Sequence, residues 1–422
     1  MAKQPIAPAP LALTLAFLCA CAAPDKHTGF TTSDSATIRI ANNDTPVERL
    51  QPIITSDSAR VVTIGVTSGE DPYMFGHVAD ATRLESGHIV VADGQTTQLR
   101  IFDSTGKHVV TYGRKGQGPG EFLTISSVVA SGGDTVLAWD AHVFRFSTFT
   151  VSGGFVSEGA ARRKPLSDLL IKDFYYEQMY PVADGSLIVE VTPRDEAKQE
   201  QDRPPAGVYY RPRSLLVWVS HEFQAYRRLG EHFGIEQIST MVGGRQEYFV
   251  PRGGRWPMQS VGGTPPRICI DAAAGAQVNC FDQDGHTTFI RWLSQPVPLP
   301  ESEFEKWRNE ELDRAGRGER YSRSELDAAL ANIPPHKELP PVTAVHVDKL
   351  GFVWTAGPDL PRDSLGNARF RIFDRQGKLI GYASTRAIII TEIGEDYVLG
   401  VSRNIDGAEI VVMRALKRFP PP

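Results

Sequence analysis

The residues of this chain best suited to chemistry are His77, Asp80, Glu177, Gln178, Gln259 and His346. Carboxylates are hard oxygen ligands that suit Ca²⁺, and imidazoles suit Zn²⁺. A divalent metal held by such a set would support lyase or hydrolase chemistry. The residues are scattered along the chain, so spacing alone does not bring them together. The same residue types also line wet channels that catalyse nothing. No catalytic residue is assigned: no Gly-x-Ser-x-Gly elbow occurs, and residues 113–120 lack the Gly-Lys-[Ser/Thr] ending of a phosphate loop.

Cysteine offers a second kind of chemistry. Lys3, the apolar residues 11–18 and the small residues after them form a secretory signal pattern. Its apolar core is too short for a bilayer, which needs about 20 residues. Leu18-Cys19-Ala20-Cys21 resembles a bacterial lipobox, in which the thiol of Cys21 would be acylated and residues 1–20 removed. Cleavage after Ala22, giving plain secretion, is the alternative. An acylated Cys21 would make the lipid bilayer a partner, with Ala22 favouring the outer membrane. Residues 21–60, rich in Ser, Thr and Asp, read as a flexible tether, with a possible short strand at 37–40. Cys269 and Cys280 lie symmetrically about Ala274-Gly275. In a two-residue hairpin they would stand opposite each other, about 4.5 Å apart at Cα, close enough for a disulfide. Two free thiols packed in one strand pair are the alternative.

These residues need a scaffold, and composition limits what it can be. The 422 residues are 41% apolar and 23% charged, with 38 Gly and 30 Pro, as in a folded chain that turns often. With 45 Lys and Arg against 50 Asp and Glu, the net charge of −5 argues against a nucleic-acid surface.

The chain repeats itself. Residues 99–109, LRIFDSTGKHV, recur as FRIFDRQGKLI at 370–380, with a shorter copy at 281–285. The shared unit is strand, Asp-x-x-Gly, strand. Asp accepts bonds from the turn backbone, and Gly supplies the positive φ at its end. A second hairpin type opens an apolar strand after Gly87, Gly185 and Gly351. Two hairpins make a four-stranded unit, and units recur every 40–50 residues. Residues 70–122 resemble NHL-type repeats and the wider six-bladed β-propeller group. The resemblance rests on Phe75, Gly87, Ile89-Val90-Val91-Ala92-Asp93, Arg100-Ile101-Phe102-Asp103, Gly106, Tyr112-Gly113, Gly118-Pro119-Gly120 and Phe122. As a whole the chain resembles bacterial six-bladed propeller lipoproteins, to which no reaction attaches. Amidating lyases and gluconolactonase-like hydrolases are the enzymes of that group, and no residue matches their metal sets.

The expectation is therefore an all-β six-bladed β-propeller over residues 61–416. Blades are expected near 76–113, 123–158, 174–230, 247–294, 341–383 and 386–416, with 61–66 closing the ring against the last blade. Two segments interrupt the pattern. Residues 298–338 read as a helical insertion with a Ser322-x-x-Glu325 capping box and a face of Leu326, Ala329, Leu330 and Ile333. Residues 192–213 read as a polar, Pro-rich loop. The expected role is a cell-envelope binding or scaffolding module for a protein, peptide or glycan, without a cofactor. The surface carrying the helices is the first choice for contact. The competing class is a metal-dependent lyase or hydrolase in the central channel, with Ca or Zn and the candidates His77, Asp80, Glu177 and His346.

Overall fold

The computed structural model describes residues 29–160, 174–193, 205–221, 225–272, 275–315, 321–386 and 388–419, with backbone only at 57–60, 160, 174–177, 193 and 315. The signal segment and Cys21 lie outside the described residues.

Six antiparallel blades surround one axis. Blade 1 comprises Val78–Arg83, Ile89–Asp93, Gln98–Phe102 and His108–Tyr112, and blade 2 Ile125–Ala130, Thr135–Asp140, Arg145–Thr150 and Gly154–Ala160. Blade 3 comprises Phe174–Pro181, Leu187–Pro193, Arg213–Val219 and Tyr226–Phe233. Blade 4 comprises Gln259–Gly262, Arg267–Asp271, Gln277–Asp282 and Thr287–Trp292, and blade 5 Ala344–Val347, Val353–Ala356, Ala368–Phe373 and Leu379–Thr385. Blade 6 takes Ile389–Ile393, Tyr397–Arg403 and Glu409–Arg418 from the end of the chain. Its fourth strand, Pro52–Ile64, comes from the beginning: Val61–Ile64 pair antiparallel with Val411–Arg414. The same strand runs parallel to blade 5 through Tyr382–Ser384. One N-terminal strand thus leaves neither blade with an open edge at the seam.

The second strand of each blade is buried on both sides, which explains runs such as Ile89-Val90-Val91-Ala92. Successive side chains point to opposite faces. Val90 and Ala92 pack with Val128, Val136 and Ala138 of blade 2, while Ile89 and Val91 pack with Leu399 and Val411 of blade 6. Likewise Ile268 and Ile270 pack toward blade 3, and Cys269 and Cys280 toward blade 5. Every blade-to-blade interface has its own apolar core, so the hydrophobic effect acts all round the ring.

The turns behave as their residues dictate. Asp103 Oδ1 accepts from the Thr105 and Lys107 amides, and Asp374 Oδ1 from those of Gln376 and Lys378. Gly106 and Gly377 follow at φ +88° and +84°, a region that glycine enters at no steric cost.

Three expected boundaries need correction. The stretch 21–60 is not a flexible tether throughout. Phe30–Ser35 and Ile38–Asn43 form a hairpin whose second strand runs parallel to Thr287–Trp292, giving blade 4 six strands. Buried Asn43 locks it in place: its amide donates to the carbonyls of Arg291 and Gly377, and its Oδ1 accepts from the Leu379 amide. Blade 4 begins at Gln259 rather than near 247, because Gln237–Val242 and Arg245–Phe249 belong to a separate three-stranded sheet. The third strand of that sheet is Tyr209–Tyr210, so 192–213 is not a loop throughout; residues 194–204 lie outside the described residues.

Helices α1 (Glu301–Ala315) and α2 (Arg323–Leu330) occupy the insertion. Its ends meet where Pro298 bridges Glu338. Ser322 caps α2, accepting from the Glu325 amide, and the Glu325 carboxylate accepts from the Ser322 amide in return. Phe304, Trp307, Leu326, Leu330 and Ile333 bury Ile238 and Val242 of the small sheet in a satellite core. Satellite segments enter between blades 4 and 5, between blades 3 and 4, and between the two middle strands of blade 3. All three belong to one face of the ring, called here the insertion face.

Candidate functional site

The innermost strands start at the insertion face and end in hairpin turns on the opposite face. There a cavity of about 720 Å³ opens on the axis. All six innermost strands or their turns line it, including Asp80, Ser127, Tyr180, Gln259, His346 and Glu392.

Four of these strands carry a bulge at matching positions. Register slips between Val78 and Asp80, Ile125 and Ser127, Tyr176 and Gln178, and Ile390 and Glu392. An extra residue re-aims the side chains after it. The residues so placed are Asp80, Ser127, Gln178 and Glu392, all polar.

Two polar networks result. Asp80 accepts from the Ala81 amide (2.8 Å), Ser127 Oγ (2.7 Å) and the Val128 amide (3.0 Å), tying blade 1 to blade 2. Burial nevertheless lifts its carboxyl to about 6; these bonds oppose the rise and the Glu392 charge adds to it. Glu392 accepts from Thr82 Oγ1 (2.6 Å), the Arg83 amide (3.0 Å) and the Tyr397 hydroxyl. Lys349 Nζ lies 3.0 Å from Glu392 Oε1 and donates also to the Arg83 carbonyl (3.0 Å) and Tyr397 Oη (2.9 Å). An ammonium has three donors, and Lys349 has spent all three. Burial, with Glu392 alongside, holds the Tyr397 hydroxyl far above its usual range, so it stays protonated.

Elsewhere the wall keeps open valence. Gln259 Nε2 donates to Tyr180 Oη at 2.5 Å, and Tyr180 donates to Gln178 Oε1 at 3.1 Å. Gln259 Oε1 is buried with no hydrogen-bond partner. Burial lowers the His346 imidazole to about 4, so it is neutral near pH 7; its ring meets Phe370 edge-on at 5.9 Å.

The structure therefore gathers Asp80, Gln259 and His346 around one cavity and leaves His77 out. His77 precedes its strand at the insertion face, is exposed, and has Nδ1 3.6 Å from Glu409 Oε2. Glu177 is the skipped residue of its bulge, and its side chain lies outside the described ones. Among the described residues no three His, Cys, Asp or Glu side chains converge as metal ligands. Sequence reasoning missed Lys349, Glu392, Tyr180, Tyr397 and Ser127. The available signal was Glu392 inside the apolar run 388–393, an acid where an innermost strand needed none for packing.

A second hollow, about 630 Å³, lies on the insertion face beneath the satellite, between Trp292, Leu293, His336 and Pro340-Pro341. His336 Nε2 is 3.6 Å from Glu236 Oε2, and its ring packs on Tyr209 at 4.2 Å. Away from both hollows, Cys269 and Cys280 stand opposite each other in register, 4.0 Å apart at Cα, and are bonded with S–S 2.03 Å.

Comparison with known proteins agrees with this architecture. Residues 71–158, spanning blades 1 and 2, match the model of the DUF5128 family, described as a 6-bladed beta-propeller. The chain is an all-β six-bladed propeller. No curated protein matches it. Among solved structures, a Bacteroides fragilis protein inferred to be exported has 11% identity and a TM-score of 0.42, covering 90% of this chain and 99% of its own. A DUF4221-family member from Bacteroides vulgatus has 9% identity and a TM-score of 0.46 (87% and 99% covered). The calcium-binding protein regucalcin from Agrobacterium tumefaciens has 10% identity and a TM-score of 0.36 (88% and 99% covered).

Proposed function

We propose that this chain is an exported, lipid-anchored propeller that binds a protein, peptide or glycan ligand at the axial cavity. One observation carries the reading. Lys349 and Glu392, two of the charges that line the cavity, are consumed by each other and by neighbouring backbone and hydroxyl groups, whereas Gln259, Tyr180, Ser127 and His346 retain capacity to bond a ligand. The Asp80 carboxylate is likewise held by Ser127 and two backbone amides, while Gln259 Oε1 stays open, as in a recognition surface of few polar contacts on an apolar wall. The apolar part of that wall includes Ala81, Val128, Val261 and Ile390.

Thermal melts against a panel of envelope-type oligosaccharides and peptides test the binding. A true ligand raises the midpoint, by mass action on the folded state. The rise disappears in Gln259→Leu and His346→Phe. An equal rise in both folded variants places the ligand elsewhere. The anchor is tested separately: palmitate labels the wild-type chain in growing cells and fails to label Cys21→Ser.

A further inference from the structure

The described chain begins beside the insertion face. Phe30 pairs with Asn43, Asn43 pairs with Trp292, and the Asn43 carbonyl accepts from the Leu293 amide. Trp292 and Leu293 wall the hollow beneath the satellite. Phe30 follows Cys21 by nine residue steps. Fully extended, nine residues reach about 30 Å. The expected tether of forty residues would have left the ring free to turn; the N-terminal hairpin and the strand Pro52–Ile64 consume most of it.

The same face holds the most exposed large apolar side chains of blades 5 and 6. Ile405 is 101% exposed, Leu365 85% and Ile389 74%. Ile405 and Leu365 cap the turns between the middle strands of their blades, and Ile389 opens the innermost strand of blade 6. They project singly from separate turns instead of lining a groove. Arg362, Arg386 and Arg403, the last paired with Glu409, stand exposed beside them. Asp406 beside Ile405 and Asp363 beside Leu365 are held by Thr67 and Asn367, and isolated apolar tips flanked by arginines suit a lipid surface, where tails enter the headgroup boundary and guanidinium groups meet phosphate.

We propose that the insertion face rests on the bilayer that holds the chain's own anchor, with Leu365, Ile389 and Ile405 entering the headgroup region and the axial cavity turned away from the membrane. The proposal rests on acylation of Cys21. It explains why the cavity opens at the end of the ring opposite the chain's entry: a ligand approaches from the aqueous side.

The test uses the full acylated chain in vesicles of phosphatidylethanolamine and phosphatidylglycerol. With Cys21 acylated and Cys269 bonded to Cys280, one added thiol takes a fluorescent label specifically. Ile405→Cys and Leu365→Cys report the insertion face; Glu395→Cys, on the hairpin turn of blade 6, reports the cavity face. The expected result is a blue shift and quenching by brominated lipid at 405 and 365, with neither at 395. Co-sedimentation without quenching at 405 and 365 overturns the docking and leaves the anchor intact, pointing to a protein partner for those side chains. Failure of the wild-type chain to co-sediment overturns the anchor, and the docking with it.

Discussion

Asp80 and His346 sit in one cavity, yet their titrations bear on stability in opposite directions. Asp80 has a folded pKa of about 6, above the unfolded carboxyl value. Its contribution is therefore fully present below about pH 4 and is lost as pH rises through 6. His346 has a folded pKa of about 4, below its unfolded value. Its contribution is whole above about pH 6.5 and is lost as pH falls toward 4. Relative to wild type, His346→Phe should gain on the order of 2 kcal/mol between pH 6.5 and 4, read by urea unfolding. Asp80→Asn should gain in the other direction, as pH rises from 4 to 6. Parallel pH profiles for all three proteins would contradict both assignments. Lys349→Met leaves Glu392 short of one partner across the seam of blades 1, 5 and 6 and should cost about 1–2 kcal/mol. An unchanged urea midpoint would show that the network is idle. None of these groups could be paired from sequence, because they come together from blades 1, 5 and 6. The bulges that aim Asp80 and Glu392 are backbone events, and only a polar residue inside an apolar strand betrays them.

Strands and turns were the legible level. Asp-x-x-Gly at 103–106 and 374–377 names its own turn, and Ile89–Asp93 names a strand buried on both faces. The capping box at Ser322 and the spacing of Leu326, Ala329 and Leu330 suffice to read α2. Three elements were hidden, each for a physical reason. Of the hairpin Phe30–Ser35 and Ile38–Asn43 only a short strand at 37–40 was legible; its first strand is polar and exposed, and the pairing with blade 4 and the bonds of Asn43 that hold it leave no periodicity. Gln237–Val242 and Arg245–Phe249 look like a blade hairpin, and only their packing on the helices sets them apart. Tyr209–Tyr210 is too short to announce itself. Ring closure is the element on which stability turns. Removing the chain through Ile64 strips blade 6 of its fourth strand and should abolish cooperative thermal unfolding. Removing it through Ser35 takes only an exposed edge strand and should leave the transition in place. A truncation past Ile64 that still melts like the whole chain would refute the closure.

The whole molecule has two unlike faces. One carries the satellite of two helices and a small sheet, the entry of the chain, and the exposed Leu365, Ile389 and Ile405. The other carries the cavity mouth. Sequence alone pointed to the helical face as the contact surface, because insertions signal function and strand ends cannot be seen to converge. The central claim is that the cavity face meets the ligand. A photo-crosslinking residue at Ala130, on the cavity wall, and at Ile405, on the opposite face, tests it most directly in living cells. The account predicts a discrete ligand adduct from Ala130 and only lipid adducts from Ile405. A discrete partner captured at Ile405, with nothing at Ala130, would contradict it.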